Sequence, residues 1–312
     1  MNEIFEVNDC DIQSIQASEY DLAIFASGHE TRARFASSVL SPDRARRTVV
    51  FGFESFRADG SRVENDCHFL ERWGQEPKII GTRADQSVYE TLEELIGDRP
   101  ATRILIDYSS MSRFWYAAVL NWLRFRWKRG SIEIDLLYAP SRYNAPIPRL
   151  EVDQILSIPG CEGNTASSGP SVALIGLGFD GLSALCVLDD LEPDIVKSFL
   201  AGGGAEAGYL EQAKEENREL ISHYSCEPLV FPIASVQATV RLLSEVIAPF
   251  TPGFSISITP LGPKPHVLAS ILLAMKFPHV ACIHVAGRRQ SVWDAVPDGR
   301  LIGTRVAFRS RG

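Results

Sequence analysis

The sequence predicts an α/β protein made of two tandem Rossmann-like, doubly wound parallel-sheet domains that face each other as an intramolecular pseudo-dimer. Three observations lead to this prediction. At 312 residues, the chain is too long for one domain of about 100–200 residues and fits two. Short segments recur in the same order at a spacing of about 150 residues. Apolar runs of strand length alternate with amphipathic stretches of helix length.

The repeat is clearest where an apolar run ends in glycine. Gly28 and Gly178 follow such runs 150 residues apart, and Arg113 recurs as Lys264 after 151 residues. Further matches pair Glu76-Pro77 with Glu227-Pro228, Ser87 to Thr91 with Ser235 to Thr239, and Tyr138-Ala139 with Val285-Ala286. We therefore expect a first copy at residues 1–157 and a second copy at 171–312. The glycine-, proline- and serine-rich segment 158–170 is predicted to be a linker.

The strands of the first copy are predicted from continuous apolar runs at residues 22–26, 48–53, 78–81, 104–108 and 134–138. Continuous runs indicate strands buried on both faces, and therefore a mainly parallel sheet. Residues 112–128 carry apolar side chains at helical spacing, with aromatic residues expected in the core. In the second copy, the segment around residues 201–205 is interpreted as a glycine-rich loop.

Composition and charge exclude several classes of protein. A net charge of −8 argues against a broad nucleic-acid-binding surface, which needs a positive field. No signal peptide and no apolar run of membrane-spanning length are visible, so we expect a cytoplasmic protein without membrane contact. The six cysteines form no C-x-x-C pair and are expected to be small buried residues. No cofactor and no metal are expected.

In a doubly wound sheet, ligands bind at the carboxyl ends of the strands where the strand order reverses. The loops after the first and fourth strands are therefore the candidate site. After the first strand come Ser27, Gly28, His29, Glu30 and Arg32. The glycine allows a tight turn, and the N–H groups that open a helix suit a phosphate. The alternative is a solvated helix terminus with a surface ion pair between the acid and the arginine.

The fourth strand of the first copy is followed by Ser109, Ser110, Ser112 and Arg113. Serine hydroxyls and N–H groups before a helix can bind an anion, and the arginine supplies positive charge. Capping of the helix by Ser110 or Ser112 is the alternative, and it is compatible with ligand binding.

The corresponding loop of the second copy contains Gly262, Lys264 and His266 among three prolines, which would make it rigid. After the first strand of this copy, glycines at 176, 178 and 181 match G-x-G-x-x-G, and Asp180 lies within the motif. A dinucleotide site also needs an acid at the end of the next strand, and no convincing strand precedes Asp194. We interpret this loop as a degenerate repeat loop that includes Gly178 and Asp180 as ligand-site candidates. Arg142 with Tyr143, and Arg288 with Arg289, follow the last strands and are candidates for the rim.

The segment from Asp107 to Arg113, with Ala118 in the following helix, resembles the strand-four motif of the CRISPR-associated Rossmann-fold (CARF) sensor domains. Thr259, Gly262 and Lys264 resemble this motif again. In that family, two domains pair and bind a cyclic oligoadenylate, and some members carry both domains in one chain. The resemblance implies the same layout here, although the second motif is stiffened by prolines and the loops after the first strands are atypical.

The favoured interpretation is a sensor or binding module that binds an anionic, nucleotide-like ligand in the cleft between the two copies. It would act through an effector protein in prokaryotic defence. Arg113 and Lys264 would contact phosphate, while His29 and Arg32 would contact base, ribose or phosphate. The alternative is an enzyme that cleaves such a nucleotide, as ring nucleases do, with His29, Glu30 and Ser109 as candidate catalytic residues. A third interpretation is a structural subunit with vestigial pockets.

Overall fold

The computed structural model describes residues 5–55, 57, 59–97, 101–127, 130–142, 148–164, 169–204, 208–224, 227–251, 253–289 and 293–309. The chain divides into two units. Unit one consists of Met1–Arg142 together with Asp294–Gly312, and unit two is Tyr143–Trp293.

Unit one is built on a seven-stranded sheet with the order β1-β13-β6-β5-β2-β3-β4. Four neighbouring pairs, from β4 through to β6, are parallel, whereas β13 is antiparallel to both β6 and β1. The elements of this unit are β1 (Phe5–Cys10), α1 (Ile12–Ala17), β2 (Leu22–Ser27), α2 (Phe35–Val39), β3 (Thr48–Phe53), α3 (Gly60–Trp73), β4 (Lys78–Ile80), α4 (Asp85–Leu92), β5 (Arg103–Asp107), α5 (Arg113–Phe125), β6 (Ile132–Tyr138) and β13 (Ile302–Phe308).

Unit two is built on a six-stranded sheet with the order β10-β9-β8-β11-β12-β7. Its first five strands are parallel, and β7 is antiparallel to β12. The elements are β7 (Leu150–Ser157), β8 (Ser171–Gly176), α6 (Gly181–Leu191), β9 (Ile195–Gly202), α7 (Tyr209–Glu216), α8 (Arg218–His223), β10 (Leu229–Pro232), α9 (Val236–Ile247), β11 (Ser255–Pro260), α10 (Lys264–Lys276) and β12 (Val280–Arg289).

The predicted fold class is confirmed, because each unit is an α/β fold with a Rossmann-like, mainly parallel sheet. The five parallel strands are arranged as β4-β3-β2-β5-β6 in unit one and as β10-β9-β8-β11-β12 in unit two. The same order of strands three, two, one, four and five therefore occurs in both units. The twofold relation between the copies stays a prediction.

The interpretation of residues 201–205 as a loop was wrong for Ala201 and Gly202. Both belong to β9, which pairs with β8 and with β10. Lys197 and Ser198 interrupt the apolar run of this strand, so the sequence pattern hides it. Tertiary pairing on both sides supplies the stability that the local pattern does not indicate.

The unit boundaries differ from the predicted copy boundaries. The segment β7 follows β6 in the chain but pairs with β12 in unit two, and β13 follows β12 but pairs with β6 in unit one. The predicted linker also begins as part of unit two, because the Ile158 N–H donates to the Cys282 carbonyl and the Asn164 N–H to the Pro278 carbonyl. Residues 165–168 lie outside the described residues.

Helix α5 occupies the core of unit one. Every residue from Phe114 to Leu123 is buried, which confirms that the aromatic residues of this segment serve packing. The Trp115 ring stacks on Phe53 at 4.3 Å between centroids, and its Nε1 donates to the Gly81 carbonyl at 2.9 Å. Burying a side chain of this size contributes on the order of 1.5–3 kcal/mol. This packing fixes the position of the first turn of α5 at the end of β5.

The expectation that the cysteines are buried holds for only some of them. Cys161 and Cys282 are buried and Cys10 is half-buried, but Cys67 and Cys186 are exposed on α3 and α6. These five are free thiols, and Cys226 lies outside the described residues. No helix in the described part of the chain combines the length and the apolar character needed to cross a bilayer.

Candidate ligand-binding site

The strand order reverses between β2 and β5 in unit one and between β8 and β11 in unit two, as predicted. In unit one, the loops after these strands are in contact: a Cβ atom on Gly28 would lie 2.4 Å from the Ser110 Oγ. In unit two, a Cβ atom on Gly178 would lie 2.6 Å from the Leu261 carbonyl oxygen. Each glycine is therefore required by a close approach of the neighbouring loop, and each unit brings its two predicted loops together.

Arg32 is buried and bound to other side chains of unit one. Its Nε and Nη2 donate to the two carboxylate oxygens of Glu30, each at 3.0 Å, and its Nη1 donates to the Tyr138 hydroxyl at 3.1 Å. Burial alone would lower the pKa of Arg32, but attraction to Glu30 and Tyr138 outweighs it and raises the pKa. The arginine is therefore a fixed cation whose charge is balanced inside the protein. This geometry does not favour the predicted contact between Arg32 and a ligand.

The predicted anion-binding N–H groups after β2 also face a carboxylate of the protein itself. Asp294 accepts from the Thr31 N–H at 2.7 Å and from the Thr31 Oγ1 at 2.6 Å. The neighbouring Ala295 carbonyl accepts from the Arg32 N–H at 3.0 Å. The segment that leads into β13 therefore occupies the position at which the sequence suggested a phosphate.

An asparagine in each unit fixes the first loop, and the sequence analysis missed both. Asn65, on α3, donates its amide to the carbonyls of Gly28 and Glu30 at 2.9 Å each. Asn217, between α7 and α8, donates to the Gly178 carbonyl at 2.7 Å. The two asparagines are 152 residues apart, close to the spacing of the repeat (65 and 217). This spacing was the signal that could have identified them.

A second buried network lies at the ends of β2 and β3. The Arg62 side chain is fully buried; its Nε donates to Asp66 at 2.7 Å and its Nη1 to the Phe53 carbonyl at 3.0 Å. The Ser27 hydroxyl donates to the same Asp66 carboxylate. Ser27, a predicted ligand contact, is thus used to hold the end of β2 against α3. Arg62 was not identified because a charged residue in a helical segment usually faces solvent.

The serines after β5 have different roles. The Ser109 hydroxyl donates to Asp107 and accepts from the Ala139 N–H at 2.8 Å, so it joins the ends of β5 and β6. Ser112 caps α5, because its Oγ accepts from the Phe114 N–H, and it also donates to the Thr82 carbonyl at 2.7 Å. Capping by Ser112 is therefore confirmed. The Ser110 hydroxyl has no hydrogen-bond partner among the described residues and lies against Gly28.

In unit two, Asp180 is the N-cap of α6. It accepts from the Ser183 N–H and hydroxyl, and also from the Leu150 N–H at 3.1 Å. A Cβ atom on Gly181 would lie 2.2 Å from the Glu216 carbonyl oxygen, so this glycine also serves packing. Asp194 precedes β9 and binds the Ser171 N–H at 2.7 Å, far from the end of the strand. The acid that a dinucleotide site needs is therefore not supplied by Asp194.

Arg113 and Lys264 occupy the same position in their units. Arg113 is the first residue of α5 after β5, and Lys264 is the first residue of α10 after β11. Both side chains are half-buried. The predicted correspondence between them is therefore found in the fold as well as in the sequence.

His266, a predicted ligand contact, belongs to the core. Its ring is 1% exposed and packs 5.7 Å from the Phe199 ring centroid and 6.4 Å from that of Phe231. Burial lowers its pKa to about 4, so the ring is neutral at physiological pH. A ligand could not contact this ring without opening the core. Gly262, in contrast, lies in the loop itself, and a Cβ atom there would be 3.0 Å from the Leu177 carbonyl oxygen.

The proposed rim residues do not form one group. The Arg142 N–H donates to the Val296 carbonyl at 2.9 Å. Arg288 and Arg289 belong to β12 rather than following it, and Arg288 pairs with Asp153 at 3.6 Å on an exposed surface. Tyr143 lies outside the described residues. Unit two also has a surface groove that contains none of the predicted site residues; it is lined by Leu185, Asp189, Arg218, Glu219, Ser222, His223 and Tyr224.

No protein-family model and no curated protein matches this sequence. Among solved structures, the chain is similar to an N-terminal ketoreductase from the macrolactin assembly line. The identity is 11%, the match covers 89% of this chain and 72% of that chain, and the TM-score is 0.24. A ketoreductase domain from the bacillaene assembly line gives 14% identity, coverage of 87% and 69%, and a TM-score of 0.21. TM-scores this low support no transfer of activity.

Proposed function

We propose that this chain is a duplicated sensor module that binds an anionic, nucleotide-like ligand and acts in the cytoplasm through a partner protein. One observation carries the proposal: each unit has a basic residue at the first position of the helix that follows the fourth parallel strand. Arg113 and Lys264 stand at the strand-order reversal, where α/β sheets bind ligands. The CARF resemblance of these two loops makes a cyclic oligoadenylate the first candidate and prokaryotic defence the expected setting.

The chemistry of the loops supports binding of phosphate. Each of these basic residues lies in the first turn of a helix of 13 residues, where the helix dipole also favours the negative charge of a phosphate. In unit one, the Ser110 hydroxyl adds a donor beside the tight Gly28 turn. The net charge of −8 means that attraction must be local to these loops rather than a property of the whole surface.

The hydrogen bonds of unit one favour binding over cleavage. Of the three candidate catalytic residues, Glu30 has both carboxylate oxygens bound by Arg32, and Ser109 uses its hydroxyl to join Asp107 and Ala139. A general base or nucleophile needs a free lone pair directed at the substrate. The lone pairs used in these bonds are directed at other groups of unit one, so the arrangement of Glu30 and Ser109 supports the sensor, and the turnover assay tests the enzyme.

The decisive experiment identifies the ligand without assuming it. Nucleotides released from the purified, heat-denatured protein are identified by mass spectrometry. Cyclic oligoadenylates of different ring sizes are then titrated by calorimetry, with the linear oligoadenylate of equal length as the control. Saturable binding of a cyclic form that exceeds binding of its linear control supports the proposal. Absence of any bound or binding nucleotide contradicts it and favours the structural-subunit interpretation. Incubation of the radiolabelled cyclic form tests for turnover, and complete conversion by the protein would instead establish the enzyme.

A further inference from the structure

Each unit contains one strand from the other sequence copy. The copies run through 1–157 and 171–312, so β7 is the last strand of the first copy and β13 is the last strand of the second. Yet β7 completes the sheet of unit two, and β13 completes the sheet of unit one. Both exchanged strands are antiparallel to the fifth parallel strand of the unit that they join.

The strand β13 is an integral part of its sheet. It pairs with β6 from Ile302–Tyr138 to Phe308–Ile132, and on its other side it pairs with β1 from Gly303–Cys10 to Phe308–Phe5. Five of its seven residues are buried: Ile302, Gly303, Thr304, Val306 and Phe308. A Cβ atom on Gly303 would lie 2.5 Å from the Cys10 carbonyl oxygen, which is the close approach expected of an inserted strand.

A buried ion pair also anchors β13. The Arg305 Nε donates to Asp135 Oδ1 at 2.6 Å, and its Nη2 donates to Asp135 Oδ2 at 2.9 Å. The Asp135 side chain on β6 is fully buried, and it also accepts from the Tyr20 hydroxyl at 2.9 Å. Removing Arg305 would leave a buried carboxylate without its cation, which is strongly unfavourable.

In unit two, β7 has a comparable but more exposed interface. It pairs with β12 over seven residue pairs, with an irregularity between Ala286 and Gly287. A Cβ atom on Gly287 would lie 2.0 Å from the Glu151 carbonyl oxygen, so the two strands are in close contact there. The backbone of β7 is thus bonded along its length to the sheet of unit two.

We infer that the two sequence copies form an obligate strand-exchanged pair whose association does not depend on the peptide connection between β7 and β8. The edge of β6 pairs with β13, the last strand of the second copy. The edge of β12 pairs with β7, the last strand of the first copy. Before the copies can separate, the backbone hydrogen bonds of both strands must break. These are the bonds of β7 to β12 and the bonds of β13 to both β6 and β1. This inference does not rest on the proposed ligand.

The test uses the full chain with a site-specific protease sequence inserted between Ala166 and Ser167. The uncut variant must first melt like the parent protein. After cleavage, which a denaturing gel confirms, native size-exclusion chromatography is run over a dilution series. We expect the two fragments to elute as one particle of the size of the intact chain, and to separate only in denaturant. Separate elution of the fragments under native conditions would overturn the inference.

A pair of substitutions keeps the test specific to the exchanged strand. In the cleavable chain, Arg305→Ala should raise the dissociation constant of the two fragments at least about tenfold, because a buried charge loses its partner. Arg241→Ala is the control, since Arg241 on α9 is exposed and lies 3.7 Å from the exposed Glu245 of the same helix. Circular dichroism of both uncut variants shows whether they are folded. Equal dissociation constants for the two variants would contradict the role of β13.

Discussion

Asp294 and Thr31 are 263 residues apart in the sequence, yet the carboxylate of one accepts both the N–H and the hydroxyl of the other. This contact ties the segment leading into β13 to the loop after β2. Unit two contains a related contact, in which the N–H of Leu150, the first residue of β7, donates to Asp180 in the loop after β8. In each unit, therefore, the exchanged segment binds the loop that follows the first parallel strand.

The first prediction concerns this contact. Asp294→Ala removes the acceptor for two donors of Thr31, and hydrogen bonds to a charged group contribute about 1.5–3 kcal/mol. We expect the free energy of unfolding of unit one to fall by an amount in this range, measured by urea denaturation. Asp190→Ala is the control, because this exposed carboxylate on α6 has no partner among the described residues and should change stability by less than about 0.5 kcal/mol. Equal effects would show that the segment is not held by Asp294.

The second prediction is a double-mutant cycle on Gly28 and Ser110. Gly28→Ala places a Cβ atom 2.4 Å from the Ser110 Oγ, and such overpacking costs about 1–3 kcal/mol. Ser110→Ala removes that oxygen and should itself change stability little, because the hydroxyl has no partner among the described residues. The alanine at 28 should therefore be clearly less destabilising in the Ser110→Ala background. Additive effects in chemical denaturation would mean that the two loops do not touch.

Much of this fold can be predicted from local patterns. The apolar runs at 22–26, 48–53 and 134–138 lie within β2, β3 and β6, because strands buried on both faces need continuous apolar sequence. Which sheet β7 and β13 join cannot be predicted in this way. Their pairing partners lie in the other copy, and strand pairing depends on tertiary contacts that leave no local pattern.

The positions of the candidate loops could be predicted from the sequence, but the contacts of their side chains could not. Gly28, Ser110 and Arg113 lie at the strand-order reversal of unit one as predicted, because the position of the reversal depends only on topology. The role of Arg32 was missed because its partner Tyr138 comes from another strand. His266 was taken for a loop residue, whereas it faces Phe199 and Phe231 from the first turn of α10.

The third prediction concerns His266 and pH. Burial lowers its pKa from 6.5 to about 4 in the folded protein. Between these two values, the unfolded chain binds a proton that the folded chain does not, so the free energy of unfolding falls as the pH is lowered through this range. The full effect is about 3 kcal/mol, since one pKa unit corresponds to about 1.4 kcal/mol.

This effect is measured as the change in the free energy of unfolding between neutral pH and about pH 4.5, where the folded protein still keeps His266 neutral. The change should be smaller in His266→Phe than in the parent protein, whatever the absolute stability of the variant. His279→Phe serves as the control, because His279 is half-exposed and bonded to Thr251. A pH dependence that is unchanged in His266→Phe would show that the ring is not buried in its neutral form.

The last prediction concerns the two basic side chains at the strand-order reversals, Arg113 and Lys264. If Arg113 and Lys264 contact ligand phosphate, each charge-assisted contact contributes about 1.5–3 kcal/mol to binding. Alanine at either position should weaken binding of the nucleotide identified by mass spectrometry about ten- to hundredfold in calorimetry. Arg241→Ala is the control, since this exposed arginine on α9 pairs only loosely, at 3.7 Å, with Glu245 and should leave affinity unchanged. Thermal melts of all three variants separate a loss of binding from a loss of folding. Loss of affinity in only one of the two variants would restrict the site to that unit, and equal affinity in all three would mean that neither loop binds phosphate.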